Sequence, residues 1–269
     1  MGTGCPKTAL RGERGRLICS FLELLATEKQ AQDNPGMENK HRIWLAVLPA
    51  MVLPFVASLF YFALFLESPI ARAIYAGTKL FTVAWPVIAV YLILQANLPS
   101  MDIRSKKHVK AAFSGLLVAV PIVALMAALM RTSLGEVAVS SSDRIFSKAQ
   151  QFGILNHYWL FAILLSVVHS FIEEYYWRWF VFGQLRRITG IVPAHMLAGI
   201  TFGSHHVVIG AQFFSFFWGV VIGLAVAAGG IIWSIMYNRQ KTIVGAWICH
   251  LVVDFYIMSI GYKLLATNG

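Results

Sequence analysis

Seven long apolar blocks, parted by short connectors, run through this 269-residue chain and leave it few ways to fold. They extend approximately from Ile43 to Leu66, Ala73 to Gln95, Val109 to Met130, Tyr158 to Phe182, Val192 to Val208, Phe213 to Tyr237 and Ile243 to Leu265. At about 1.5 Å per helical residue, each is long enough for a hydrocarbon core about 30 Å thick. Hydrophobic residues make up 58% of the chain and charged residues 13%, against about 25% charged in soluble domains. The expected fold is therefore all-α: a polytopic transmembrane helical bundle of about seven spans, or eight with a re-entrant or surface helix. The fourth block is weakened by an acidic pair, and the fifth is short and carries His195, His205 and His206, so both are marginal spans in isolation.

The 22 Lys and Arg outnumber the 12 Asp and Glu, for a net charge of +10. In a soluble protein this excess would suggest nucleic acid. Here the cations gather in alternate connectors, Arg104 to Lys110, Arg186 with Arg187, and Arg239 with Lys241, as well as before the first span. That pattern orients a membrane protein with its amino terminus cytoplasmic and its carboxyl terminus outside, and it argues against a nucleic-acid partner. Short connectors favour a bacterial inner (plasma) membrane.

Residues 1–42 are expected to be a cytoplasmic polar segment, either disordered or a surface helix with Leu17, Ile18, Phe21, Leu22 and Leu25 on one side; they lack the pattern of a secretory leader. Residues 43–130 are expected to form a three-span scaffold, 131–157 a connector, and 158–265 a four-span core. No internal repeat suggests the inverted halves of a transporter. Cys5, Cys19 and Cys249 are too scattered for a disulfide framework or thiolate metal site, and Cys249 is read as a small buried residue.

Ionisable groups at membrane depth cost several kcal/mol on most scales and persist where they pair, line a wet cavity or do chemistry. Three islands of this kind occur: Glu173-Glu174 with Arg178, Ser204-His205-His206, and His250 with Asp254. Glu174 and Arg178 are four apart and share a helix face, whereas Glu173 turns away from Arg178 by about 140° and shares its face with His169. His250 and Asp254 are also four apart. Counted from the cytoplasmic ends, Glu173, His206, His250 and Asp254 lie at roughly 10 to 21 Å depth, so one pocket in the cytoplasmic half of the bilayer can collect them.

The ordered set Glu173-Glu174-x-x-x-Arg178, Phe202-x-x-x-His206 and His250-x-x-x-Asp254 resembles the CPBP family of intramembrane proteases, which includes CAAX-processing endopeptidases. The resemblance covers about residues 158 to 260. It implies an intramembrane glutamic-type endopeptidase that needs no cofactor and acts on a membrane-anchored or carboxyl-terminal-tail substrate within the lipid bilayer. Glu173 would be the general base that activates water, with His206 holding that water. Glu174, paired with Arg178, would position the first carboxylate, and His250 with Asp254 would orient the substrate carbonyl or stabilise the oxyanion. The family commonly has Asn where this chain has Asp254, and an ionised Asp cannot donate a hydrogen bond to an oxyanion.

Zinc is the rival cofactor, with Glu173, His206 and His250 as ligands of a suitable type, although the helical His-Glu-x-x-His signature is absent. A proton-relay transporter would also use buried Glu and His, and a non-catalytic scaffold or immunity protein could keep the fold alone. The bland alternatives for single residues are a structural ion pair for Glu174 and Arg178, a packing or rim role for His169, an interfacial role for His195, a His205 that faces another helix and is kept as an alternative ligand, and an aromatic wall or interfacial belt from Tyr175, Tyr176, Trp177 and Trp179. Gly219 and Gly223, four apart, are read as a close helix contact.

Overall fold

In the computed structural model, residues 36–65, 68–97, 106–151 and 153–266 are described, and among them the chain is helical with no strand. The expectation for residues 1–35, as a disordered or surface segment, lies outside the described residues. The long helices are α1 (Met37–Leu64), α2 (Ile70–Ile93), α3 (Lys106–Leu129), α6 (Leu155–Thr189), α7 (Ile191–Phe213), α8 (Phe216–Gln240) and α9 (Val244–Ala266). The short helices α4 (Ser133–Ser140) and α5 (Ser142–Gln151) occupy most of the connector between 131 and 157. All seven apolar blocks are thus helices. Six of the described helices are long and apolar enough to cross a membrane, and α7, with its three histidines, is not among them.

Each helix sorts its side chains by size and destination. On α1, Ile43, Ala46, Val47, Ala50 and Ala57 face inward at three- and four-residue spacing, while Leu45, Leu48 and Val52 are about half exposed. Large apolar groups pointing outward fit a hydrocarbon solvent and would be costly in water. The carboxyl-terminal half of α6 is the hub, because Tyr176, Trp177, Phe180, Val181, Phe182 and Leu185 are almost fully buried against α1, α7 and α8. The Tyr176 hydroxyl donates to the Ala50 carbonyl of α1 at 2.8 Å, and the Tyr175 hydroxyl donates to the Val83 carbonyl of α2 at 3.1 Å. The expected aromatic wall is therefore an anchor between α6 and the amino-terminal helices. Cys249 is buried in the same core, as expected for a small apolar group.

Small residues set the closest approaches. A Cβ added at Gly203 would run into the Gly223 carbonyl, and one at Gly219 into the Val207 carbonyl. The α7 and α8 backbones therefore touch along a glycine seam, the role expected of Gly219 and Gly223. A second seam joins α3 to α9, where Ala111, Gly115 and Ala119 are buried at four-residue spacing and a Cβ at Gly115 would meet the Gly245 carbonyl. These two seams fix the depth at which α7 and α9 present their histidines.

The α6 helix is irregular where it matters. Its backbone widens to π-type turns over Leu165–His169 and Tyr175–Phe182, on either side of the α-helical Ser170–Glu174. The Trp247 indole of α9 donates to the Val167 carbonyl at 3.0 Å, and the Ser170 hydroxyl bonds the Ser166 carbonyl. Side-chain donors that take helix carbonyls loosen the backbone ladder, and such widened turns are frequent at functional sites.

Candidate active site

Glu174 is fully buried and held at both oxygens. Its Oε2 lies 3.1 Å from Arg178 Nε, and its Oε1 accepts from His250 Nδ1 at 2.8 Å. The Arg178 guanidinium is packed against two aromatic faces, 4.5 Å from the Phe202 ring centroid and 5.1 Å from that of Trp233. Trp233 also stacks on His250, with centroids 4.0 Å apart. One carboxylate thus ties α6 to α9, while its cationic partner is covered by α7 and α8. Glu174 Oε2 and the three guanidinium nitrogens have no hydrogen-bond partner among the described residues, so this buried pair rests on charge proximity and the two aromatic faces.

Glu173 faces a different set. Its Oε1 is 3.3 Å from His169 Nε2 and 3.8 Å from His205 Nε2, and its Oε2 is 3.7 Å from His250 Nε2. His250 therefore touches both carboxylates through opposite ring nitrogens. Its Nε2 also stands 3.5 Å from Asp254 Oδ1, so the one-turn spacing of that motif does bring its two groups together.

His206 joins from α7. Its Nδ1 lies 3.1 Å from the Phe202 carbonyl oxygen, which only accepts. The ring proton is thus on Nδ1, leaving the Nε2 lone pair for the site. Donor atoms of Glu173, His205 and His206 all lie within 4.8 Å of one another, the only group of three or more candidate metal ligands among the described residues. In that cluster His205 stands where the sequence suggested His250. His205 does face another helix, α6, where it stacks on Trp177 and lies beside Glu173, so the residue kept as an alternative ligand stands in the cluster with His206.

A cavity of about 40 Å³ opens beside this cluster, lined by Tyr61 and Lys79 as well as by His169, Glu173, Trp177 and His205. That volume admits at least one water. Four polar contributors were missed in the sequence, Tyr61 from α1 and Thr78, Lys79 and Thr82 from α2. Lys79 carried a readable signal, a lone cation deep in an apolar span. His169, expected to serve packing, touches both Glu173 and Lys79. His195 lies apart from this cluster, paired with Ser234 at 2.6 Å and stacked on Phe182.

Fold and cluster together define an integral membrane protein that carries a carboxylate and imidazole site among its helices. Residues 155–256, from the start of α6 to beyond Asp254, match the family described as type II CAAX prenyl endopeptidase Rce1-like. This is a protease family of the CPBP group, so the resemblance carried by the three motifs is shown for that segment, and α1 to α5 lie outside it. The chain matches no curated protein and no solved structure.

Proposed function

We propose that the chain is an intramembrane endopeptidase in which Glu173 activates water to hydrolyse a peptide bond near the carboxyl terminus of a membrane-anchored protein or peptide. The observation that carries this reading is the Glu173 carboxylate, set among imidazoles from α6, α7 and α9 at the edge of a cavity that admits water. Glu173 takes a proton from that water, and the hydroxide oxygen attacks the scissile carbonyl carbon. The His206 Nε2 lone pair accepts from the same water and holds it. His250, fixed by Glu174 at Nδ1, presents Nε2 to the oxyanion when it carries a proton there, and Asp254 orients that ring. As the carbon–nitrogen bond breaks, Glu173 returns its proton to the leaving amine.

The family description supports a tail bearing a prenylated cysteine as the substrate class. The basic connectors support an orientation that opens the site toward the cytoplasm, and short connectors support a bacterial plasma membrane. In this scheme the spans of residues 43–130 act as the scaffold of the 158–265 core.

A second reading has one specific observation in its favour, the convergence of Glu173, His205 and His206. Those residues would hold a zinc ion, which when bound supplies an activated water. His206 also has the outer hydrogen bond, to Phe202, that metal-ligating histidines usually make.

The test uses purified protein in proteoliposomes with a farnesylated, fluorescence-quenched peptide ending in Cys-aliphatic-aliphatic-X. The proposal predicts cleavage, one released tripeptide by mass spectrometry, and no loss of rate after 1,10-phenanthroline. Rate loss that zinc restores would favour the metal reading. Ion flux without cleavage, or neither, would favour the transporter or scaffold.

A further inference from the structure

The amino-terminal helices contribute a charged side chain to the site. Lys79 of α2 lies 90 positions before His169, yet its Nζ is 3.1 Å from His169 Nδ1. It sits on a helix whose other basic residue, Arg72, is near the end, and its Nζ lies 5.4 Å from the Tyr75 ring centroid. A lysine this deep is costly unless its head finds a partner. It finds one by reaching inward to the cavity beside Glu173.

We propose that Lys79 and His169 form a directional hydrogen-bond relay that orients the Glu173 carboxylate, making Lys79 a positioning residue of the site. This rests on the reading of Glu173 as the base. The direction follows from donor and acceptor chemistry. An ammonium group has donors and no acceptor, so His169 Nδ1 must accept. The proton of the neutral ring is then on Nε2, and Nε2 faces Glu173 Oε1 at 3.3 Å. Lys79 therefore selects the ring form that donates to the carboxylate. Without it, His169 is free to carry its proton on Nδ1 and turn a lone pair toward Glu173, a repulsive arrangement that would release the carboxylate from its place beside the water.

Neither Lys79 nor His169 belongs to the three motifs, and Lys79 lies outside residues 155–256. The relay gives the amino-terminal spans a share in the chemistry as well as in the framework. A lysine that merely filled space would need no particular nitrogen as its partner.

The test compares Lys79→Met with Lys79→Arg, and His169→Leu with His169→Gln, in the proteoliposome assay with the farnesylated peptide. Lys79→Met and His169→Leu should each lower kcat about tenfold or more while KM stays constant. The Arg and Gln variants, which keep a donor in place, should restore most of that loss. The Met and Leu double variant should be no worse than either single one. Unchanged kcat in Lys79→Met, a change confined to KM, or additive losses would overturn the relay. A second measurement is independent of turnover: the ¹⁵N spectrum of histidine-labelled protein, with His169 assigned by its loss in His169→Gln. The relay requires an unprotonated Nδ1 in the wild type and a changed His169 signal in Lys79→Met. A wild type that cleaves nothing would defeat the hydrolase proposal, and a protonated Nδ1 would defeat the relay whether or not cleavage occurs.

Discussion

His250 contacts Glu174 through Nδ1 at 2.8 Å and faces Glu173 through Nε2 at 3.7 Å, so one imidazole bridges the two adjacent carboxylates of α6. That bridge separates their roles. Glu174 is closed off by Arg178 and His250, whereas Glu173 keeps an edge on the cavity.

The first consequence concerns stability. Glu174→Gln leaves Arg178 buried without its carboxylate, a change that costs about 3 to 5 kcal/mol for a broken buried pair. Its thermal unfolding midpoint in detergent should fall well below that of the wild type. Glu173→Gln, at a carboxylate whose ion-pair contacts among the described residues are to imidazoles and which edges a cavity, should unfold close to the wild-type temperature. Equal midpoints for Glu174→Gln and the wild type would show that the pair does not hold the bundle.

The glycine seam predicts a different kind of loss. Gly203→Ala drives a methyl into the Gly223 backbone carbonyl, which cannot swing aside as a flexible side chain would. Overpacking of this sort costs about 1 to 3 kcal/mol. Because Gly203 precedes His205 and His206 on α7, the displacement should also reduce peptide cleavage. Gly229→Ala on α8 offers the contrast, since its added Cβ would meet only the Trp233 ring at ordinary contact distance. It should leave the unfolding midpoint nearly unchanged.

Asp254 can be tested by shape and charge separately. Its Oδ1 stands 3.5 Å from His250 Nε2, and an Asn in its place keeps a carbonyl acceptor there. Asp254→Asn should therefore lower kcat/KM less than about tenfold, while Asp254→Leu, which removes the acceptor, should lower it more. The reverse order would mean that Asp254 acts through its charge on something other than His250.

Much of this was legible because charge is conspicuous in an apolar chain. Glu173, Glu174 and Arg178 stood out at once, and one-turn spacing correctly joined Glu174 to Arg178, Glu173 to His169 and His250 to Asp254. His205 was ranked behind His206 because neighbours about 100° apart on a helix usually serve different partners. Donor atoms of both lie within 4.8 Å of a Glu173 oxygen, so one carboxylate serves the two. Lys79 was missed, although a lone cation in an apolar span is a readable signal, because its partner lies across the bundle and a single sequence does not show which helices touch. The widened turns of α6 were hidden for the same reason, since the first of them is contacted at the Val167 carbonyl by the indole of Trp247 on another helix.

The most direct measurement is kcat/KM of Glu173→Gln against wild type for the farnesylated peptide in proteoliposomes, with both proteins shown to unfold at the same temperature. Loss of the general base should lower it by roughly 10² to 10⁴ or more. A Gln variant that cleaves within a few-fold of wild type would contradict the claim that this carboxylate activates the water.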